Sequence, residues 1–101
     1  MTETNVERAL DRVVSLQAED FAESFDKLAP SQQRLLGVLA LGPVLDVYSR
    51  QMMALVDVAN ANAIRVALRR LGELELVERT TAGWRVTGVF FERWLLRKAE
   101  F

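Results

Sequence analysis

Arg65, Arg69 and Arg70 fall in the segment NANAIRVALRRL at positions 60–71, where the first two are four residues apart. Residues at that spacing share one face of a helix, so Arg65 and Arg69 offer two guanidinium forks side by side. A guanidinium pairs bidentately with the guanine edge, and an asparagine amide pairs with the adenine edge. Asn60, Asn62, Arg65, Arg69 and Arg70, with Arg79 and Arg85 further along, are therefore the candidate nucleic-acid contacts. Asn62 would read adenine and Arg65 guanine, each good contact contributing about 1–3 kcal/mol of discrimination. Arg69, Arg70, Arg79 and Arg85 would meet phosphates, which position the protein without reading sequence. A protein-facing surface is the competing reading. Ala61, Ala63 and Val66 make the presented face small and apolar, and the tip Thr80-Thr81-Ala82-Gly83 carries no cation. Glu73, Glu75 and Glu78 also lie close enough in sequence to neutralise Arg70 and Arg79. The residues leave both readings open.

No other group in the chain suggests chemistry. The 101 residues contain neither cysteine nor histidine, which removes thiolate nucleophiles, Cys-type zinc sites and the commonest general base. Ser15, Ser24, Ser31 and Ser49 have no histidine to activate them. None of the five glycines opens a phosphate-binding loop ending in Lys-Ser or Lys-Thr. The carboxylates scatter along polar helix faces, so no enzyme, metal or cofactor is expected. Net charge is −1, but it is unevenly distributed. Residues 1–30 hold seven acids and three bases, whereas residues 31–101 hold ten bases and seven acids. The basic surplus thus accompanies the arginine-bearing segment. No apolar run approaches the roughly 20 residues that span a bilayer. The acidic, amphipathic start MTETNVERAL is not a signal peptide, so a cytoplasmic location and no membrane partner are expected.

The elements that must position these residues follow from periodicity. Val6, Leu10, Val14, Phe21, Phe25 and Leu28 recur at helical spacing, predicting one amphipathic helix over 6–28, either continuous or broken near 15–18. Its stripe, represented by Leu10, Val14, Phe21 and Phe25, serves either the domain's own core or an interaction surface that could form a homodimer. Pro30 ends this run and suits the first turn of a second helix, which Gly42-Pro43 closes. Val44 to Tyr48 reads as a short first strand. Ser49 and Asn60 are N-cap candidates for two further helices. Ile64, Ala67, Leu68 and Leu71 form the buried side of the second of these. A hairpin turning at 80–83 follows, then a last helix over 89–99 with Phe90, Phe91, Trp94 and Leu95. The expected fold is mainly α: a winged helix-turn-helix with a small β-hairpin wing, plus N-terminal and C-terminal helices. Residues 1–29 would form an N-terminal amphipathic helical extension and residues 30–101 the winged-helix domain. Winged helices commonly place glycine where Glu75 stands, and a left-handed backbone there would cost glutamate roughly 1 kcal/mol.

Three stretches, LAPSQQRLLGVLALGP (28–43), YSRQMMALVDVANANAIRVALRRLGELELVER (48–79) and GWRVTGVFFERWLLRK (83–98), carry a family resemblance. Their order resembles the winged-helix C-terminal domain that follows the P-loop module in prokaryotic AAA/STAND-type ATPases. Leu28, Pro30, Gln33 and Arg34 match that domain's opening motif, and Phe91, Trp94 and Leu95 its aromatic last helix. Gly88-Val89 stands where that family usually has Asp-Pro, leaving Thr87 as the substitute cap. The P-loop module itself is not in this sequence. The resemblance implies a non-catalytic regulatory or interaction module of a larger ATP-binding protein, contacting DNA, the cis ATPase domain or another protein. The alternative is a free-standing DNA-binding transcriptional regulator dimerised through its N-terminal helix.

Overall fold

The computed structural model describes residues 3–99. Five helices and one hairpin follow in the order α1 (Glu3–Asp26), α2 (Pro30–Ala40), α3 (Arg50–Val56), α4 (Ala61–Glu73), β1 (Val77–Thr80), β2 (Gly83–Val86) and α5 (Val89–Ala99). Helix α1 runs without a break, the continuous one of the two forms that the sequence allowed near 15–18. Ser15 and Gln17 simply lie on its exposed side, where polar residues do not disturb the backbone ladder.

Helix α2 is the hub. Leu35, Leu36 and Leu39 are fully buried, and the helix touches α3, α4, α5 and β2. Most residues of the LAPSQQR segment (28–34), which leads into α2 and forms its first turns, have a physical task. Leu28 is buried, and Pro30 occupies the first helical position, where its missing N–H leaves no bond unmade. Ala29 has no side-chain acceptor, but its own N–H donates to Gln32 Oε1 at 3.1 Å. Gln33 Nε2 donates to the Phe25 carbonyl at 3.0 Å, satisfying an end group of α1.

Helix α1 lies along α5. Val14 is buried, and Phe21 and Phe25 pack half-buried on an aromatic cluster with Phe91 and Trp94. Ring centroids are 5.2 Å apart for Phe21–Phe91, 5.6 Å for the edge-on Phe25–Trp94 pair and 5.9 Å for stacked Phe91–Trp94. Arg93 Nε donates to Asp11 Oδ1 at 2.7 Å, fixing the N-terminal half of α1 to the same helix. That hydrogen bond holds the Asp11 carboxyl below its ordinary pKa. The Leu10–Phe25 stripe is therefore engaged within the chain, with its best-buried members facing α5.

Two helix ends close in the same unusual way. In α3, Val58 N–H reaches the Met53 carbonyl while Asp57 N–H reaches Ala54. In α4, Leu76 N–H reaches Leu71 and Glu75 N–H reaches Gly72. Both are Schellman closures, which need a left-handed residue. Asp57 (φ 61°) and Glu75 (φ 60°) supply it without being glycine.

Strands β1 and β2 pair antiparallel with Val77 opposite Val86 and Thr80 opposite Gly83. Thr80 Oγ1 donates to the Gly83 carbonyl and accepts from Ala82 N–H, at 2.9 and 3.2 Å, which fixes the turn. The strand expected over 44–48 contracts to one bridge, in which Val44 and Trp84 exchange both backbone hydrogen bonds at 3.0 and 2.9 Å. The next ladder bond on that side would need Gly42 N–H, which is spent on the Leu39 carbonyl at 3.2 Å. On the other side Tyr48 N–H turns onto Asp46 Oδ1 at 3.3 Å and bends the chain away. The bridge also explains Gly83, since a Cβ there would lie 2.4 Å from the Val44 carbonyl. Thr87 is not the cap of α5. It sits one residue early, its N–H is spent on the Leu76 carbonyl, and its buried Oγ1 has no partner; Gly88 accepts the first helical bond from Glu92.

Two stability changes follow from this packing. Phe21→Ala should lower unfolding stability by about 2–3 kcal/mol, a half-buried share of the usual Phe→Ala loss, in a urea titration followed by circular dichroism. An unchanged midpoint would mean that α1 adds nothing to the folded core. Glu75→Gly should raise stability by about 1 kcal/mol because it removes left-handed strain, while Glu75→Ala should not.

Candidate nucleic-acid interface

The helix-turn-helix is built from α3 and α4. Ser49 Oγ accepts from Met52 N–H at 3.2 Å, and Asn60 Oδ1 accepts from Ala63 N–H at 2.9 Å. Each side chain thus satisfies one orphan donor at a helix start. Asn60 is committed to α4 through its oxygen, so its first role is to start the helix. Arg34 Nη1 lies 3.7 Å from Asp57 Oδ2, tying α2 to the turn between the two helices.

Helix α4 buries Ile64, Ala67, Leu68 and Leu71 and leans on α2 and β1. With that side fixed, the 3.6-residue period turns Asn62, Arg65, Val66 and Arg69 to solvent, while Ala61 and Ala63 are half-buried. The Arg65 guanidinium lies 5.8 Å above the centre of the Tyr48 ring, within cation–π range. Tyr48 comes from the loop before α3 and is 39% exposed. Its ring thus gives the Arg65 guanidinium an aromatic neighbour.

The seven polar residues read from the sequence divide by their partners. Arg70 Nη1 meets Glu73 Oε2 at 3.5 Å, so its charge is largely answered locally. Arg85 departs furthest from expectation. It is half-buried with Glu78 on one side at 3.9 Å and Glu92 on the other at 3.7 Å, and its buried Nε has no hydrogen-bond partner. Two flanking carboxylates make Arg85 a brace between wing and α5, poorly placed to meet a phosphate. Arg65, Arg69 and Arg79 are exposed and, among the described residues, form no ion pair. The same holds for Arg50 at the start of α3.

Two features escaped the sequence reading. Tyr48 had no periodic signal, although a lone tyrosine before a capping serine is the kind of residue that packs over a helix. Leu41 and Leu45 are the other. They are 76% and 77% exposed, and Leu41, with Pro43, Met52 and Leu55, edges an open groove of about 530 Å³. Among the described residues, no cluster of three or more carboxylates could hold a metal ion, and no helix is long and apolar enough to cross a membrane.

A family profile described as a probable winged helix domain matches residues 19–97. No curated protein and no solved structure matches the chain. The profile takes in the later part of α1, the helix-turn-helix, the hairpin wing and nearly all of α5. Winged-helix domains are generally non-catalytic modules that bind DNA or protein partners. With the element order, the capped helix-turn-helix and most of the chain in agreement, this protein belongs to the winged-helix domain family.

Proposed function

We propose that the chain is a nucleic-acid-binding module in which the exposed side of α4 enters a DNA groove. The supporting observation is that Arg65 and Arg69 stand one turn apart on that side with no carboxylate partner among the described residues. Arg65 and Asn62, nearest the helix start, would face base edges. Arg69, Arg79 and Arg50 would meet phosphates on either flank. Neutralising three or four phosphates gives a salt slope of about −3 to −4 in log K against log salt. Such binding is weak for one domain, which fits a module that works inside a larger assembly. We place it in a larger ATP-binding protein of the AAA/STAND type, on the strength of the LAPSQQR and FFERWLL segments.

A second reading rests on a separate observation. The exposed Leu41 and Leu55 line a groove that includes residues of α2 and α3 and no arginine of α4, and would suit contact with a protein domain such as a neighbouring ATPase module. A free-standing dimer built on the Leu10–Phe25 stripe has less support, because Val14 is buried and Phe21 and Phe25 already pack on α5.

Arg69→Ala should weaken binding to all duplexes and flatten the salt slope by about one. Arg65→Ala should instead change the preference among sequences. Both are measured by fluorescence anisotropy on a duplex library at about 50 mM salt. Absence of any duplex binding at that salt would overturn the nucleic-acid reading. Whether the native reading frame continues upstream into a Walker A motif tests the ATPase assignment.

A further inference from the structure

Between α4 and the wing lies a small groove of about 210 Å³, lined by Tyr48, Arg65, Leu68, Arg69, Gly72 and Trp84. Its chemistry differs from that of the exposed face of α4. Two aromatic rings, one from the loop before α3 and one from β2, form walls, and Leu68 and the bare backbone of Gly72 form the floor. Two guanidiniums sit at the rim, and neither is in an ion pair among the described residues. The volume suits one planar ring system and is too small for a helix or a strand.

We infer that this groove takes one unpaired nucleotide, with its base stacked between the Tyr48–Arg65 platform and Trp84 and its phosphate held by Arg69. The inference rests on the nucleic-acid reading above and narrows it. A base inside a duplex keeps both faces against its neighbours and offers only its edges. The faces of Tyr48 and Trp84 therefore have nothing to stack on in intact duplex. An unpaired nucleotide supplies a free π-face and an anionic phosphate together, as aromatic and arginine surfaces require. Arg65, whose guanidinium already lies over the Tyr48 ring at 5.8 Å, adds a second planar group beside it. Gly72 matters because it leaves the floor open: nothing lies within 4 Å of where its Cβ would be.

The test compares three labelled probes with the full chain at about 50 mM salt: blunt duplex, oligothymidylate of about ten nucleotides, and an abasic strand of equal length. Oligothymidylate should bind about tenfold more tightly than the abasic strand, since base–aromatic stacking is the difference. Tyr48→Ala should erase most of that advantage. Gly72→Leu fills the floor with a good helix former, so it should keep the fold and duplex binding while removing the preference for thymidylate. Equal binding of thymidylate and abasic strands would overturn the inference. So would a Gly72→Leu variant that still prefers thymidylate. Duplex binding without single-strand binding would end this inference and leave the proposed function standing. If neither probe binds, both fall.

Discussion

The structure depends on one ridge of leucines. Leu35, Leu36 and Leu39 on α2 are wholly removed from water, and every layer of the domain meets there: α3 and α4 on one side, α5 and β2 on the other. Burial of three such side chains contributes several kcal/mol, on the order of the net stability of a small domain. Because α4 must present Ile64, Ala67, Leu68 and Leu71 toward this core, its opposite side cannot avoid solvent. Exposure of Asn62, Arg65 and Arg69 is thus a consequence of packing elsewhere. The polar face exists because the apolar one is fully used.

A second layer of decisions concerns charge. The domain carries many arginines, yet several are employed in holding it together. Arg34 joins α2 to the turn before α4, Arg93 clasps α1 to α5, and Arg85 braces the wing against α5 through Glu78 and Glu92. Individually such partly exposed pairs contribute little stability. Their larger effect is to define which cations are left over. Among the described residues, Arg50, Arg65, Arg69 and Arg79 on α3, α4 and the wing edge have no carboxylate partner, and neither do Arg8 and Arg12 on α1 or Arg97 and Lys98 on α5. The proposed nucleic-acid face draws on the first four.

The elements themselves were largely legible from sequence, for identifiable reasons. The caps at Ser49 and Asn60 act through neighbours three residues away, so local order suffices to find them. Glu75 was legible as an anomaly because winged helices commonly carry glycine at that place, and φ 60° is the left-handed value it adopts. The missed contacts involve partners distant in the chain. The Val44–Trp84 bridge joins residues forty positions apart. The Asp11–Arg93 hydrogen bond spans 82. Arg85 looked available beside Glu78, but its second carboxylate, Glu92, belongs to another element.

The sequence by itself determined where α2 to α5 begin, which side of each helix is apolar, and that the arrangement is a winged helix-turn-helix. These properties depend on spacing and on short-range hydrogen bonds, which the order of residues contains directly. Only the tertiary structure decided what each apolar stripe meets and which charges are answered. The stripe of α1 was free to face a second protein or its own domain, and contact with Phe91 and Trp94 assigned it to the domain. Likewise Tyr48, Arg69, Gly72 and Trp84 meet around one groove because the wing folds back onto α4, bringing together residues that share no local pattern. Periodicity specifies a face; a partner for that face is fixed by the geometry of the closed chain.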